Sequence, residues 1–426
     1  MNDVNEANAT AIHVNDPEPI SATAITGSTT LLFAAAVGVI VTNLSAPQTL
    51  VRLIGHSIDL APASDGLVAM SPLLGYALGQ FVLVPLADLH ENRALIVRLL
   101  VCAALATGAV ALAPNAASLL VLLLALGTTC SAIQILVPLA ASMAPAERRG
   151  RVIGNVMSGL MLGILLSRPL ASSVAGTLGW RAFFVTDAVM MLLLTVVLAV
   201  RLPRRHPPRS LHGYTALLAS LWEMARREST LQHRALNASL GMAAFSLFWT
   251  AIALRLAQPP FDLTQRGIAV FALVGAGGVF ATPIAGNLGD RGLTTPAMVV
   301  FHLCVVAAFA LAAWSGITAT QWTLPSLILM GLSAVLLDIG VTGDQTLGRR
   351  AINLLRPEVR GRLNGLYVGI FFLGGAAGSA LAGIAWAWGG WSAICLVGAG
   401  FGLAALLGDI LLAMPRRGCI NSVNRH

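Results

Sequence analysis

Twelve apolar stretches, each separated from the next by a polar or turn-forming segment, dominate the pattern along the chain. They fall at 31–53, 66–86, 94–113, 117–143, 152–174, 182–202, 237–257, 267–289, 295–314, 323–346, 363–386 and 391–413. A helix rises 1.5 Å per residue, so about 20 apolar residues cross a hydrocarbon core of about 30 Å. The runs are continuous and lack the period-two alternation of a barrel wall. The pattern therefore predicts an all-α integral membrane protein with twelve transmembrane helices.

Three segments interrupt it. Residues 1–30 carry Asp3, Glu6, Asp16 and Glu18 with no arginine and no cleavage-like pattern, which predicts a disordered tail and not a signal peptide. The stretch 203–236 is the one long polar connection between spans and divides the chain into 31–202 and 237–413, six spans each. Its second part, Tyr214 to Arg227, reads either as an amphipathic helix on the membrane surface or as a solvated connector. Residues 414–426 form a second short tail.

Composition agrees with the pattern: 57% of the 426 residues are hydrophobic and 10% charged, far below the usual quarter in soluble proteins. The formal net charge of +8 raises nucleic acid as a partner, but its distribution excludes that. Every basic residue other than histidine is arginine, and the arginines concentrate in alternate loops: Arg93 and Arg98, Arg148 to Arg151, Arg201 to Arg234, Arg291, Arg349 to Arg362, and the C-terminal tail. The other loops hold only Arg52, Arg181 and Arg266. By the positive-inside rule both termini and the middle loop are expected in the cytoplasm of a bacterial-type cell, with the chain multi-pass in the inner membrane. The five cysteines have no metal-like spacing, and no metal or cofactor is expected.

The chain repeats itself. At an offset of 211 residues PAERRGRVIGN falls on RPEVRGRLNGL, pairing Glu147 with Glu358, Arg149-Gly150-Arg151 with Arg360-Gly361-Arg362, and Gly154 with Gly365. The same offset pairs Gln134 with Gln345, Gly163 with Gly374, and Gly179-Trp180 with Gly390-Trp391. A further correspondence joins PLADLHENR to GNLGDRGLT, with Asp88 on Asp290. Two parallel six-helix repeats suit alternating access, in which one bundle rocks against the other around a shared site.

These landmarks resemble the major facilitator superfamily over about 31–413. The loop after the second span reads VPLADLHENR, keeping Leu86, Ala87, Asp88 and Arg93 of that family's motif, with Val84, Leu89, Glu91 and Asn92 in place of its Gly, Arg, Gly and Arg. The second copy, GNLGDRG, keeps Gly286, Leu288, Asp290 and Arg291. VTNLSAPQTL, GWRAFF and LLRPEVRGRLNGLY resemble the arabinose-efflux-permease and drug:proton antiporter-like branch. Two features depart from it: the fourth span has Leu and Ala where many proton-coupled members carry an arginine, and the fifth reads GLMLGILLSRPLASS in place of a Gly-Pro pattern. The resemblance implies two pseudo-symmetric bundles, a pathway lined by the first, fourth, seventh and tenth helices, and a latch on the cytoplasmic side formed by the acidic turn.

Charges inside a bilayer cost about 2.5–3.5 kcal/mol on insertion scales, so each needs a reason. Asp338 in the tenth span is the candidate proton carrier, its alternatives being a permanent arginine partner or a place at a helix junction. Arg168 in the fifth span either faces the interface between halves or binds carbonyls freed by Pro169. Asn43, Gln48, Gln134, Ser246, Trp249, Thr250 and Gln345 are candidates for the substrate cavity, with ordinary helix–helix bonding as the alternative. Asp88, Arg93, Glu147, Arg149, Arg151, Asp290, Arg291, Glu358, Arg360 and Arg362 are candidates for the cytoplasmic gate. Asp187 and Asp409 lie nearer helix ends, Arg255 snorkels, and His302 reads as a lone structural histidine.

The leading function is a secondary active transporter, a monomer whose partners are a small organic or amphipathic substrate, the proton and the lipid bilayer. Proton-coupled efflux by alternating access comes first; uptake or facilitated diffusion of a metabolite or sugar is the alternative. An intramembrane enzyme requires clustered catalytic groups at one face, and neither an HExxH pair nor a GxxxxGK[ST] loop occurs in this lysine-free chain.

Overall fold

The computed structural model describes residues 26–204, 213–356 and 359–413. Most of the predicted tails, and Glu358 of the predicted gate, lie outside the described residues. Fourteen helical elements carry the fold: α1 Gly27–Ser57, α2 Gly66–Val82, α3 Asn92–Ala111, α4 Ala116–Cys130, α5 Ile133–Ser142, α6 Arg149–Leu178, α7 Trp180–Arg201, α8 Tyr214–Arg227, α9 Ser229–Leu256, α10 Gln265–Ala272, α11 Ala281–Asp290, α12 Thr294–Thr318, α13 Thr323–Leu355 and α14 Arg360–Ala413. Among the described residues ten helices are long and apolar enough to cross a membrane.

The remaining crossings come from two departures from a straight rod. Gly389 and Gly390 have non-helical dihedrals, so α14 is two limbs, 360–388 and 391–413. The eighth predicted span, 267–289, is not one continuous helix: α10 and α11 flank a 3-10 segment, Leu273–Phe280. Its sequence LVGAGGVF explains the break, because three glycines weaken an α-helix and permit close backbone approach. The fourth span is also interrupted, between Cys130 and Ile133. Helix α1 begins at Gly27, capped by the Thr26 hydroxyl, so the predicted N-terminal tail ends a few residues early. Helix α9 begins at Ser229, so the last eight residues of the predicted linker, 229–236, extend a span.

The repeat seen in the sequence has a packing meaning. Gly159 and Gly163 of α6 lie against the backbone of Ala34 and Gly38 of α1, where any side chain would collide. In the second half Gly374 and Gly378 of α14 lie in the same way against Ser239 and Ala243 of α9. Small residues let the backbones approach, which lipid cannot drive by hydrophobicity alone. Gly179 and Gly390 have positive φ, 87° and 58°, at the turns into the sixth and twelfth crossings. The tryptophan after each anchors its turn: Trp180 Nε1 donates to Ser57 Oγ at 2.8 Å and Trp391 Nε1 to the Ala312 carbonyl at 2.9 Å.

Large apolar side chains such as Leu105, Val121, Leu193 and Leu396 stand exposed on the outer faces, where they suit hydrocarbon. The halves meet where α2 packs antiparallel to the first limb of α14, with Gly66 against Ser379 and Tyr76 against Phe372 at 4.5 Å between ring centroids. They also meet where Gly176 of α6 faces Gln265 of α10. Both the Gly66 and Gly176 contacts lie at the end opposite the arginine-rich turns.

Candidate functional site

A cavity of about 690 Å³ lies between the two halves. Its wall runs from Gln48, Arg168, Gly275 and Asp338 in the interior to Arg149, Asn353 and Arg360 at the arginine-rich end. That size accommodates a drug-sized organic molecule.

The inner end of the cavity is built from four helices, α1, α6, α9 and α13, and the broken span. Arg168 is 3% exposed and donates through Nη2 to Gln48 Oε1 of α1 at 3.1 Å. Its guanidinium carbon lies 4.2 Å from the centroid of Trp249 and 5.4 Å from that of Phe245, both on α9. The Trp249 indole Nε1 donates to Asp338 Oδ1 on α13 at 3.0 Å. Arg168 and Asp338 therefore do not touch as an ion pair but hold opposite sides of one indole. The glycines of the broken span make room for this: a Cβ on Gly278 would stand 2.7 Å from the Asp338 Cβ, and one on Gly275 3.0 Å from Trp249. Pro169 follows Arg168 within α6, yet the arginine is held by Gln48 and the aromatic rings; its Nε has no partner among the described residues.

Further toward the arginine-rich end Gln134 Nε2 donates to Tyr76 Oη at 3.1 Å, and both line the cavity. Gln345, its repeat counterpart, lines the opposite wall. Asn43, Ser246 and Thr250 are placed elsewhere. Asn43 accepts from Thr107 Oγ1 at 3.5 Å between α1 and α3, Thr250 Oγ1 donates to Ser379 Oγ at 3.3 Å between α9 and α14, and Ser246 is buried against Gly375.

Arg349, grouped by the sequence with the topology-setting arginines, lines the cavity as well. The signal was periodicity: Asp338, Thr342, Gln345, Arg349 and Asn353 recur every three or four residues and form one polar face of α13 along the cavity.

The candidate gate residues separate into those the fold pairs and those it does not. Arg362 Nε lies 3.5 Å from Asp88 Oδ2, joining the second half to the first. Asp290 pairs with Arg350 inside its own half. Arg149 Nε donates to the Ala144 carbonyl at 3.3 Å and Arg360 Nε to the Asn353 carbonyl at 3.0 Å. Among the described residues Arg93, Glu147, Arg151 and Arg291 make no ion pair. The two acidic turns are thus used differently, one across the halves and one within a half. Helix α8 covers this end: Tyr214 Oη donates to the Val82 carbonyl at 2.8 Å, while Leu217, Leu221 and Met224 are buried and Trp222 is exposed.

His302 is not alone. Its Nδ1 lies 3.0 Å from Asp409 Oδ2 and its Nε2 3.5 Å from Asp344 Oδ1, with all three side chains buried. Arg234 Nη1 approaches Asp409 Oδ1 at 3.1 Å, and Asn237 Nδ2 donates to the same oxygen at 2.8 Å. These donors could surround a metal ion. A histidine ligates one metal through one nitrogen, however, whereas each ring nitrogen here faces its own carboxylate and Arg234 adds a positive charge. The donor set fits an ion-pair network that joins α9, α12, α13 and the second limb of α14.

Comparison with known proteins agrees with the fold. The sequence profile of the Major Facilitator Superfamily fits residues 28–343. The chain is 36% identical over 382 residues to the "Uncharacterized transporter YgaY" of Escherichia coli O157:H7, covering 88% of this chain and 93% of that one. Among solved structures it is similar to the nucleoside transporter NupG, with TM-score 0.70 and 14% identity over 90% of this chain and 99% of that one. It is also similar to a D-xylose-proton symporter, with TM-score 0.67 and 15% identity over 90% and 96%. At such identities the likeness speaks for the fold alone.

Proposed function

Because the chain belongs to the Major Facilitator Superfamily, a transporter family and not an enzyme class, we propose that it is a secondary active transporter that exports a small amphipathic organic molecule in exchange for protons by alternating access. The single observation that carries this reading is the Arg168–Trp249–Asp338 stack at the interior end of the cavity. A buried carboxylate that can gain a proton, linked to the other half through a shared indole, makes the contact between halves responsive to protonation.

In this reading the arginine-rich end is cytoplasmic, as the positive-inside rule requires, so the cavity faces inward with its outer end closed by the Gly66 and Gly176 contacts. Substrate enters from the cytoplasm and lies against the methionine- and phenylalanine-rich wall. A proton reaching Asp338 from outside removes its charge, weakens its bond to Trp249 and its attraction for Arg168, and favours the return to the inward-facing state. Asp88 and Arg362 close the cytoplasmic side as one element of the gate, and the asymmetry at Asp290 corresponds to the gate standing partly open. The protein works as a monomer in the bacterial inner membrane with both termini inside.

The test is flux in proteoliposomes under an imposed pH gradient, screening amphipathic drugs and sugars, with an internal pH dye recording protons. Export in exchange for protons gives substrate movement against its gradient with opposing proton flow. Substrate flux of equal size with and without the gradient contradicts it.

A further inference from the structure

Among the described residues the cavity wall carries four guanidinium groups, from Arg149, Arg168, Arg349 and Arg360, against one carboxylate, that of Asp338. Their positions are not equivalent. Arg168 and Asp338 balance each other across Trp249. Arg149 and Arg360 stand at the mouth, each donating through Nε to a nearby backbone carbonyl. Arg349 shares with Arg168 a buried Nε without a hydrogen-bond partner, but has no carboxylate set against it, and no ion pair with it forms among the described residues. Tyr76 and Gln134, bonded to each other on the opposite half, line the same cavity as Arg349.

A guanidinium whose Nε is buried and whose charge has no counterion is costly, and its five donors in a planar fork match an oxyanion bidentately. The rest of the wall is largely apolar and adaptable, lined among others by Met157, Met161, Met242, Phe245, Phe371 and Phe372. We propose that the cavity takes an amphipathic organic anion, its oxyanion headgroup held by Arg349 with Tyr76 and Gln134, and its apolar body against the methionine and phenylalanine side chains. This assignment rests on reading the cavity as the substrate path, and is independent of whether protons drive it. The bound anion supplies the charge that the wall lacks, so Arg349 discriminates by charge while the apolar wall tolerates variation in shape.

The test uses the full-length chain in nanodiscs of zwitterionic lipid and two probes with one apolar body and opposite headgroups, 4-phenylbutyrate and 4-phenylbutylamine. Equilibrium affinity for each is read by calorimetry. The carboxylate is expected to bind at least about tenfold more tightly than the amine. Arg349→Gln lowers carboxylate affinity by about tenfold and does not weaken the amine, and Arg349→Lys, which keeps the charge but not the fork, lowers carboxylate affinity by less. Where Arg349→Gln does not fold, Arg349→Lys and Tyr76→Phe carry the comparison, each weakening the carboxylate alone. Equal affinity for both probes, tighter binding of the amine, or carboxylate binding unaffected in the variants that fold overturns the assignment. Flux of neutral compounds without anion binding overturns it while sparing the transporter reading; anion binding without flux of any compound does the reverse.

Discussion

The guanidinium of Arg168 and the carboxylate of Asp338 share one indole, that of Trp249: the first lies over its ring at 4.2 Å and the second accepts its Nε1–H at 3.0 Å. One residue of the second half thus binds a cation of the first half by its face and an anion of its own half by its edge. A desolvated cation–π contact contributes about 2 kcal/mol, and a hydrogen bond to a charged group a similar amount.

Trp249→Phe separates the two roles, since the ring face survives and the donor does not. Gradient-driven flux should fall by about tenfold or more while unfolding stability drops by about 2 kcal/mol, the cost of a lost bond to a buried charge. Paired flux and thermal-unfolding measurements check this. Unchanged coupling would mean that the indole N–H takes no part.

Gly278 is expected to tolerate no side chain, because a Cβ there meets the Asp338 Cβ at 2.7 Å. Gly278→Val should cost about 1–3 kcal/mol of stability through overpacking and displace Asp338 from Trp249. Loss of transport in Gly278→Val beside normal transport in Gly286→Ala, a glycine with open space around it, would locate the effect at the stack.

The His302 network is expected to be structural. His302→Leu leaves Asp344 and Asp409 facing one another without the imidazole, which should cost roughly 3 kcal/mol, the scale for breaking a buried ion pair. Thermal unfolding in detergent reads the loss directly. Stability equal to wild type would remove the network from the account of how α12 is held to α13 and α14.

The Asp88–Arg362 pair is partly exposed, so its contribution to stability should be under about 1 kcal/mol, screened by salt. Its larger effect is expected on access. Arg362→Gln should raise thiol labelling of Asn364→Cys, a cavity-wall position, in a background without native cysteine. Labelling identical to that of the intact pair would contradict a gating role.

Much of this architecture was legible in the sequence, because lipid imposes long apolar helices and the two halves repeat. Gly163 with Gly374, and Gly179-Trp180 with Gly390-Trp391, are matched in sequence and turn out to make equivalent helix contacts and equivalent turns. Gln48, Arg168, Trp249 and Asp338 were singled out because polar groups in hydrocarbon need partners, and the fold brings all four together. What one sequence does not carry is rotational position about each helix. Asn43, Ser246 and Thr250 lie on the expected helices but face neighbouring helices and not the cavity. His302 looked solitary because Asp344 and Asp409 lie 42 and 107 positions away in the chain. Arg349 was hidden among arginines already explained by topology, and only its register with Asp338 set it apart.

The central claim is that Asp338 carries the coupling proton, and the most direct measurement compares wild type with Asp338→Asn in proteoliposomes, using a substrate found by the flux screen. The variant keeps an acceptor for Trp249 Nε1 but cannot take up a proton. It should still exchange labelled for unlabelled substrate at equilibrium, yet fail to accumulate substrate against its gradient when a pH difference is imposed. Gradient-driven accumulation by Asp338→Asn at the wild-type level would contradict the account.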